Sequence, residues 1–287
     1  MFNKLLFFFV LAVIFGCSKQ ETKVNFEVSN AHFLLGIEFA NYSLLDNAVE
    51  EFLLAIKHNQ DNFKAHSKLG LVYFKMGQND KAQKEWESAV ALNPNYTPAY
   101  TNLGTLYYIY KNDKEKALEY WEKALSVSPR DADTLTNIGN YYKDKSELEK
   151  AVQYYEKAQK TKPNSTLILN NISQVYLSMG EVDEAERAIL MSKKIQPNNP
   201  STNFQLGKLY YQKKELDKAI EAYNNVIAAS PNFAQSYHEL SLIYLNDKKD
   251  FSKAESMAKK ALELKPADKD YSEFYNSIKS KSKKSKG

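Results

Sequence analysis

ADTLTNIGNYYKDKSELEKAVQYYEKAQKTKPNS, residues 132–165, holds two sets of apolar residues separated by a polar break. Leu135, Ile138, Gly139 and Tyr142 fall at i, i+3, i+4 and i+7, and Ala151, Tyr155 and Ala158 fall at i, i+4 and i+7 after KDKSELEK. This spacing predicts two amphipathic helices that meet at a tight turn. Pro163 lacks an amide donor and restricts the residue before it, so it closes the second helix.

The same order of residue types recurs seven times. With Gly139 set as position 8 of its unit, that position reads Gly36, Gly70, Gly104, Gly139, Ser173, Gly207 and Ser241, and the residue three further on is Phe39, Tyr73, Tyr107, Tyr142, Tyr176, Tyr210 or Tyr244. The second helix opens its buried stripe, at position 20, with Ala48, Ala82, Ala117, Ala151, Ala185, Ala219 and Ala254, spaced 34, 35, 34, 34, 34 and 35 residues apart. The two longer intervals place an extra residue in the turns YKNDKEKA and LNDKKDFSKA, where a surface loop is expected to absorb it. The closing proline recurs as Pro94, Pro129, Pro163, Pro197, Pro231 and Pro266, with Gln60 in its place in the first copy. Gly or Ser facing Ala lets two helix backbones approach, and aromatic residues at positions 11 and 24 are expected to fill the surrounding space. Asp131, Ser165 and Asn199 are predicted N-caps, and Pro98 and Pro200 fit a first helical turn.

This pattern resembles the tetratricopeptide repeat (TPR): aromatic-x-x-Leu-Gly-x-x-Tyr, then Ala-x-x-x-Phe, then Pro. The resemblance implies an all-α fold, a right-handed superhelical α-solenoid of seven helix-turn-helix repeats at 29–62, 63–96, 97–131, 132–165, 166–199, 200–233 and 234–268, each touching only its neighbours. It also implies that the first helices line a concave face through positions 2, 5, 9, 12 and 13. Carried over copy by copy, the groove candidates are Phe33, Ile37, Leu71, Phe74, Tyr108, Ile109, Asn140, Lys143, Asn170, Gln174, Leu177, Phe204, Lys208, Tyr211, His238 and Leu242. Leu167, Ser201, Gln235 and Leu245 hold further positions of that set. The carboxylate clamp of chaperone-binding members is not reproduced: Asn140 and Asn171 match its asparagines, but Thr136, Ser201 and Gln205 stand where its cations belong. Asn102, Asn137 and Asn171 at position 6 then read as structural residues.

The flanks carry a different message. MFNKLLFFFVLAVIFG, residues 1–16, has one lysine and then an apolar run from Leu5 to Phe15, which reads as a secretory signal and is too short for a spanning helix of about 20 residues. Ile14-Phe15-Gly16-Cys17 resembles the lipobox of bacterial lipoproteins, with Phe15 departing from its usual small residue. Cys17, the single cysteine, is the expected lipidation site, and residues 17–28 form a lipidated tether. Ser18 in place of an aspartate favours the outer membrane where a cell has two. At the other end, Tyr271, Phe274, Tyr275 and Ile278 recur at helical spacing, predicting a capping helix over 269–279 ahead of a solvated basic tail, 280–287.

Thirty-nine basic against 35 acidic residues, a net charge of +4, is too mixed a balance for a nucleic-acid partner. No metal, nucleotide or hydrolase motif occurs, no cofactor is indicated, and His32 and His66, both at position 4, read as packing residues. The sequence thus points to a non-catalytic, membrane-anchored extracytoplasmic scaffold that holds a peptide or helix of an envelope protein in its concave groove. The alternative is a solenoid that binds a small or lipid-like ligand for an envelope transporter.

Overall fold

A computed structural model of the 287-residue chain describes residues 25–284, with side chains through residue 280. The leader, Cys17 and most of the tether lie outside the described residues. Fifteen α-helices and no strand are present among the described residues, an all-α fold of helix-turn-helix repeats. The hairpins pair α1 (residues 25–41) with α2 (Leu45–His58), α3 (Phe63–Lys75) with α4 (Asn79–Leu92), α5 (Thr97–Leu106) with α6 (Lys114–Val127), and α7 (Ala132–Asp144) with α8 (Leu148–Thr161). They continue with α9 (Thr166–Met179) and α10 (Val182–Ile195), α11 (Pro200–Gln212) and α12 (Leu216–Ala229), and α13 (Ala234–Asn246) and α14 (Phe251–Leu264), followed by α15 (Lys269–Lys284). Helix α1 begins within the stretch read as tether, and α15 runs past Lys279 into the stretch read as tail.

The chain divides between Ile138 and Gly139 into two compact units. In the first, α3 packs on α4 and α4 on α5; in the second, α9 to α14 stack in chain order and α15 closes on α14. Every position-20 alanine is fully buried. What the small residue at position 8 accommodates is the side chain at position 24. A methyl group on Gly70 would lie 2.7 Å from Trp86, on Gly139 2.5 Å from Tyr155 and on Gly207 2.6 Å from Tyr223, and one on Gly104 would collide with Trp121. The expectation of an aromatic at position 24 fails in two repeats, which carry Ile189 and Ala258, and these are the two whose position 8 is Ser173 or Ser241. Glycine stands where a ring needs the space; serine returns where the ring is missing. The indole N–H groups of Trp86 and Trp121 donate to the carbonyls of Ser67 (3.1 Å) and Thr101 (3.2 Å), so neither is buried without a partner.

The turn inside each hairpin contains one residue in the left-handed region: Ser43, Gly77, Asn112, Ser146, Gly180, Lys214 and Lys249, with φ between 52° and 80°. The predicted caps hold: Asp131, Ser165 and Asn199 accept from the amides of Thr134, Ile168 and Thr202, and Pro98 and Pro200 sit in the first turn of α5 and α11. The two extra residues are absorbed differently from the loop expectation. Residues Tyr107–Lys111 widen into a π turn at the end of α5, and Lys248 donates to the carbonyl of Ile243, five residues back, at 3.1 Å. Asp113 and Asp250 cap α6 and α14 and fix where the second helices start, so the surplus residue enlarges the preceding turn while backbone groups stay bonded. Those widened ends bring Lys111 to Asp80 (2.8 Å) and Lys248 to Asp217 (2.7 Å), both in the preceding repeat.

Candidate functional site

Three first helices of the second unit, α9, α11 and α13, build a cleft of about 360 Å³. Position 2 supplies Leu167, Ser201 and Gln235, position 5 Asn170 and Phe204, position 6 Asn171 and Gln205, and position 9 Gln174; Thr166, Asn199 and Phe233 complete the wall. Positions 2, 6 and 9, or 5 and 9, share one side of a helix, so the geometry of α9 and α11 alone turns these groups the same way. The Phe204 and Phe233 rings meet at 5.2 Å and form an apolar wall. Apart from Leu167, the remaining lining is amide and hydroxyl, with no charged side chain among the lining residues. Asn170 is committed, since its Oδ1 accepts from the Thr202 hydroxyl at 3.1 Å, and Gln174 Oε1 accepts from Lys143 at 3.4 Å. Gln205 is 8% exposed and its Oε1 has no partner.

Of the groove candidates, Asn170, Gln174 and Phe204 line this cleft. Leu177 does not reach a groove: it is 3% exposed and packs with Ala185, Ile189, Leu206 and Leu209. Leu245, at the same position 12 in the last repeat, is likewise buried, with Ala254, Ala258 and Ile278. The cause is the small residue at position 24, because Leu177 and Leu245 fold into the volume that a ring occupies elsewhere. Where the ring is present, the position-12 aromatic stays half-exposed and tilts against it, Phe74 on Trp86 at 5.8 Å and Tyr108 on Trp121 at 5.4 Å. Asn140 is half-buried and accepts from the Tyr155 hydroxyl at 2.7 Å.

His238 lies against the Tyr271 ring (5.0 Å) and the Phe274 ring (4.7 Å) of α15, so the closing helix covers part of the surface assigned to it. Burial pushes its imidazole down against the opposing pull of Asp268 and Asp270, and Nδ1 has no partner. Next to it in sequence, burial raises the Glu239 carboxyl, with Lys208 acting in the opposite direction. Burial raises the Tyr211 phenol too, assisted by Asp247. Leu242 is half-buried.

In the first unit three of the candidates fall into two smaller hollows. Phe33 lines one of about 280 Å³ with Phe26, Phe63, Asp61 and Lys64, and Ile37 and Leu71 line one of about 70 Å³ beside Lys68 and Lys75. Ile109, on the π turn, is 65% exposed. The position-4 histidines each bind a glutamate of their own hairpin, His32 Nδ1 to Glu51 at 2.6 Å and His66 Nδ1 to Glu85 at 2.7 Å. No group of three metal-ligating side chains occurs among the described residues.

The position-6 residues Asn171 and Gln205 and the loop residue Phe233 were not among the groove candidates. Asn137 does play the structural part expected of position 6, donating to Thr105 at 3.3 Å, but Asn171 faces the cleft. Its place one helical turn after Leu167 was the available signal.

No curated protein matches the chain. Among solved structures it is similar to PilF of Pseudomonas aeruginosa (23% identity, 75% of this chain and 97% of that one, TM-score 0.62). It is also similar to a tetratricopeptide repeat protein of Parabacteroides merdae (19%, 88% and 99%, TM-score 0.68) and to PilW, described as a type IV pilus biogenesis factor (18%, 71% and 94%, TM-score 0.64). At these identities the likeness speaks for the fold. Family profiles described as TPR repeat match residues 45–77, 70–109 and 207–247, and those described as tetratricopeptide repeat match 97–131, 132–165 and 234–268. Together they span well over half of the sequence, those at 97–131, 132–165 and 234–268 coincide with repeats three, four and seven, and the chain belongs to the tetratricopeptide-repeat family.

Proposed function

We propose that the protein is a membrane-anchored, extracytoplasmic scaffold that holds a segment of an envelope protein in the cleft of α9, α11 and α13. The observation that carries this reading is the cleft itself: a cavity within the 300–1,000 Å³ range of binding sites, with an apolar wall and a row of amides, one of them left unpartnered. Side-chain amides both donate and accept, which suits an extended main chain. The sequence of residues 1–17 supports the anchor, acylated at Cys17. The likeness in fold to PilW, described as a type IV pilus biogenesis factor, is in keeping with this reading. No charge constellation in the cleft supports acid, base or nucleophilic chemistry.

A photo-reactive residue placed at Gln174 in the living cell is expected to capture a discrete envelope protein that the same group at Glu221, exposed on α12, does not capture. Equal capture from both positions, or capture from neither, turns the reading toward a small ligand. For the anchor, Cys17→Ser is expected to move the protein out of the detergent phase; continued partitioning there contradicts lipidation.

A further inference from the structure

We propose that the first unit carries a binding face of its own, separate from the cleft of α9, α11 and α13: a lysine stripe on α3 that takes an acidic polypeptide segment bearing aliphatic or aromatic side chains. Lys64, Lys68, Leu71 and Lys75 stand at i, i+4, i+7 and i+11 of α3, so they share one side of that helix. The three lysines are exposed, and none has a carboxylate partner among the described residues. Lys64 lines the hollow of about 280 Å³ with Phe33 and Phe63, and Lys68 and Lys75 line the one of about 70 Å³ with Ile37 and Leu71. Each cation is thus set beside an apolar recess. The surroundings leave the charge uncompensated. Positions 2, 5, 9, 12 and 13 of repeats one and three hold no charged residue, and Asp61 is the single anion among the residues that line the two hollows. Lys114, whose ammonium stands 5.8 Å over the Tyr108 ring at position 12 of repeat three, adds a further cation.

The spacing of the lysines selects the occupant. Four and seven residues apart, they are separated by about 6 and 10 Å along the helix axis and do not converge on one compact anion such as phosphate. Interleaved with apolar recesses, they match a polymer that alternates carboxylates with apolar groups. A polypeptide containing Asp or Glu has both, whereas an acidic polysaccharide or polyphosphate brings the charge without groups that leave water against Phe33, Phe63 and Leu71. A second copy of this face would bring lysines to lysines, which disfavours self-association through it. Attraction between exposed charges is weak pair by pair, so the recesses supply the retention while the lysines attract and select the segment.

The test uses the purified full chain in detergent, challenged with a displayed library of random twelve-residue peptides and then with the most enriched peptide made synthetically with blocked ends. The expected pool is rich in Asp and Glu and carries an aromatic or aliphatic residue. Its binding is expected to weaken about threefold between about 0.05 and 0.3 M salt. Lys68→Gln combined with Lys75→Gln is expected to weaken binding about tenfold, and Lys68→Arg combined with Lys75→Arg to keep it within about twofold. Neither pair is expected to move the melting temperature, because both side chains are exposed. Phe204→Ala, in the cleft, is expected to leave this binding unchanged. A pool without an excess of acidic residues, or no enrichment at all, overturns the proposal and leaves the cleft to be judged by its own crosslink. Acidic peptides that ignore the glutamine pair but are lost with Phe204→Ala overturn the first-unit face in favour of the cleft. Phosphatidylglycerol vesicles bound through Lys68 and Lys75, with no peptide enriched, overturn the polypeptide partner in favour of a membrane surface.

Discussion

Repeats four and five have the same length and the same turns, yet they build their interiors differently. In repeat four Gly139 leaves room for Tyr155, which fills the hairpin and gives its hydroxyl to Asn140 at 2.7 Å, and Lys143 stays half-exposed at position 12. In repeat five Ser173 faces Ile189, and Leu177 at position 12 drops into the core beside it. One repeat obtains its packing from a ring between two helices, the other from two aliphatic side chains of those helices. The unit of design is therefore the triplet of positions 8, 12 and 24 and not any one position of the signature, because the three share one volume.

The comparison is broken most severely by removing the ring. Tyr155→Ala is expected to cost about 3–5 kcal/mol, measured by denaturant unfolding, since it leaves a cavity and strands Asn140, whereas Ile189→Ala in repeat five is expected to fall in the lower range of about 2–5 kcal/mol. Next comes Gly139→Leu, expected to lower stability by about 1–3 kcal/mol because the new side chain collides with the Tyr155 ring; an unchanged melting curve contradicts the packing of this hairpin. The sharpest form is a graft of one repeat's triplet onto the other. Gly139→Ser, Lys143→Leu and Tyr155→Ile together are expected to cost less than the sum of the three single changes, with a coupling of about 0.5–3 kcal/mol in a mutant cycle, and strict additivity refutes the shared volume. The smallest effects lie in the turns. Gly180→Ala in repeat five is expected to lose about 1 kcal/mol at φ 80°, while Ser146→Gly in repeat four, at φ 60°, is expected to gain a few tenths, both read as shifts in melting temperature.

The repeats, their phase and the helix boundaries were legible because period and punctuation are local: the alanines at position 20 and the prolines name the hairpins directly. The triplet was also present in the sequence, since serine at position 8 coincides with Ile189 and Ala258, but reading it requires treating two helices as one packing problem. The left-handed turn residues Ser43, Ser146, Lys214 and Lys249 carry no comparable signal, because the hairpin geometry imposes that backbone on residues that do not favour it; Asn112 alone is of a type that adopts it readily. The cleft was half legible. The family's facing positions led to Asn170, Gln174 and Phe204, but they also led to Leu177, which tertiary packing withdrew, and passed over Asn171 and Gln205.

Repeat one shows what happens to a stack at its beginning. In the six later repeats the residue two after the position-8 glycine or serine is Val72, Leu106, Tyr141, Val175, Leu209 or Ile243, none more than 3% exposed. In repeat one it is Glu38, exposed, next to Leu35, which is 40% exposed where its equivalents Leu69, Leu103, Ile138, Ile172, Leu206 and Leu240 are buried. An architecture that grows by adding like to like has no intrinsic length. A hairpin of the same design stacked on this face would have to bury the Glu38 carboxylate, so the face repeat one presents differs in kind from the apolar faces inside the stack.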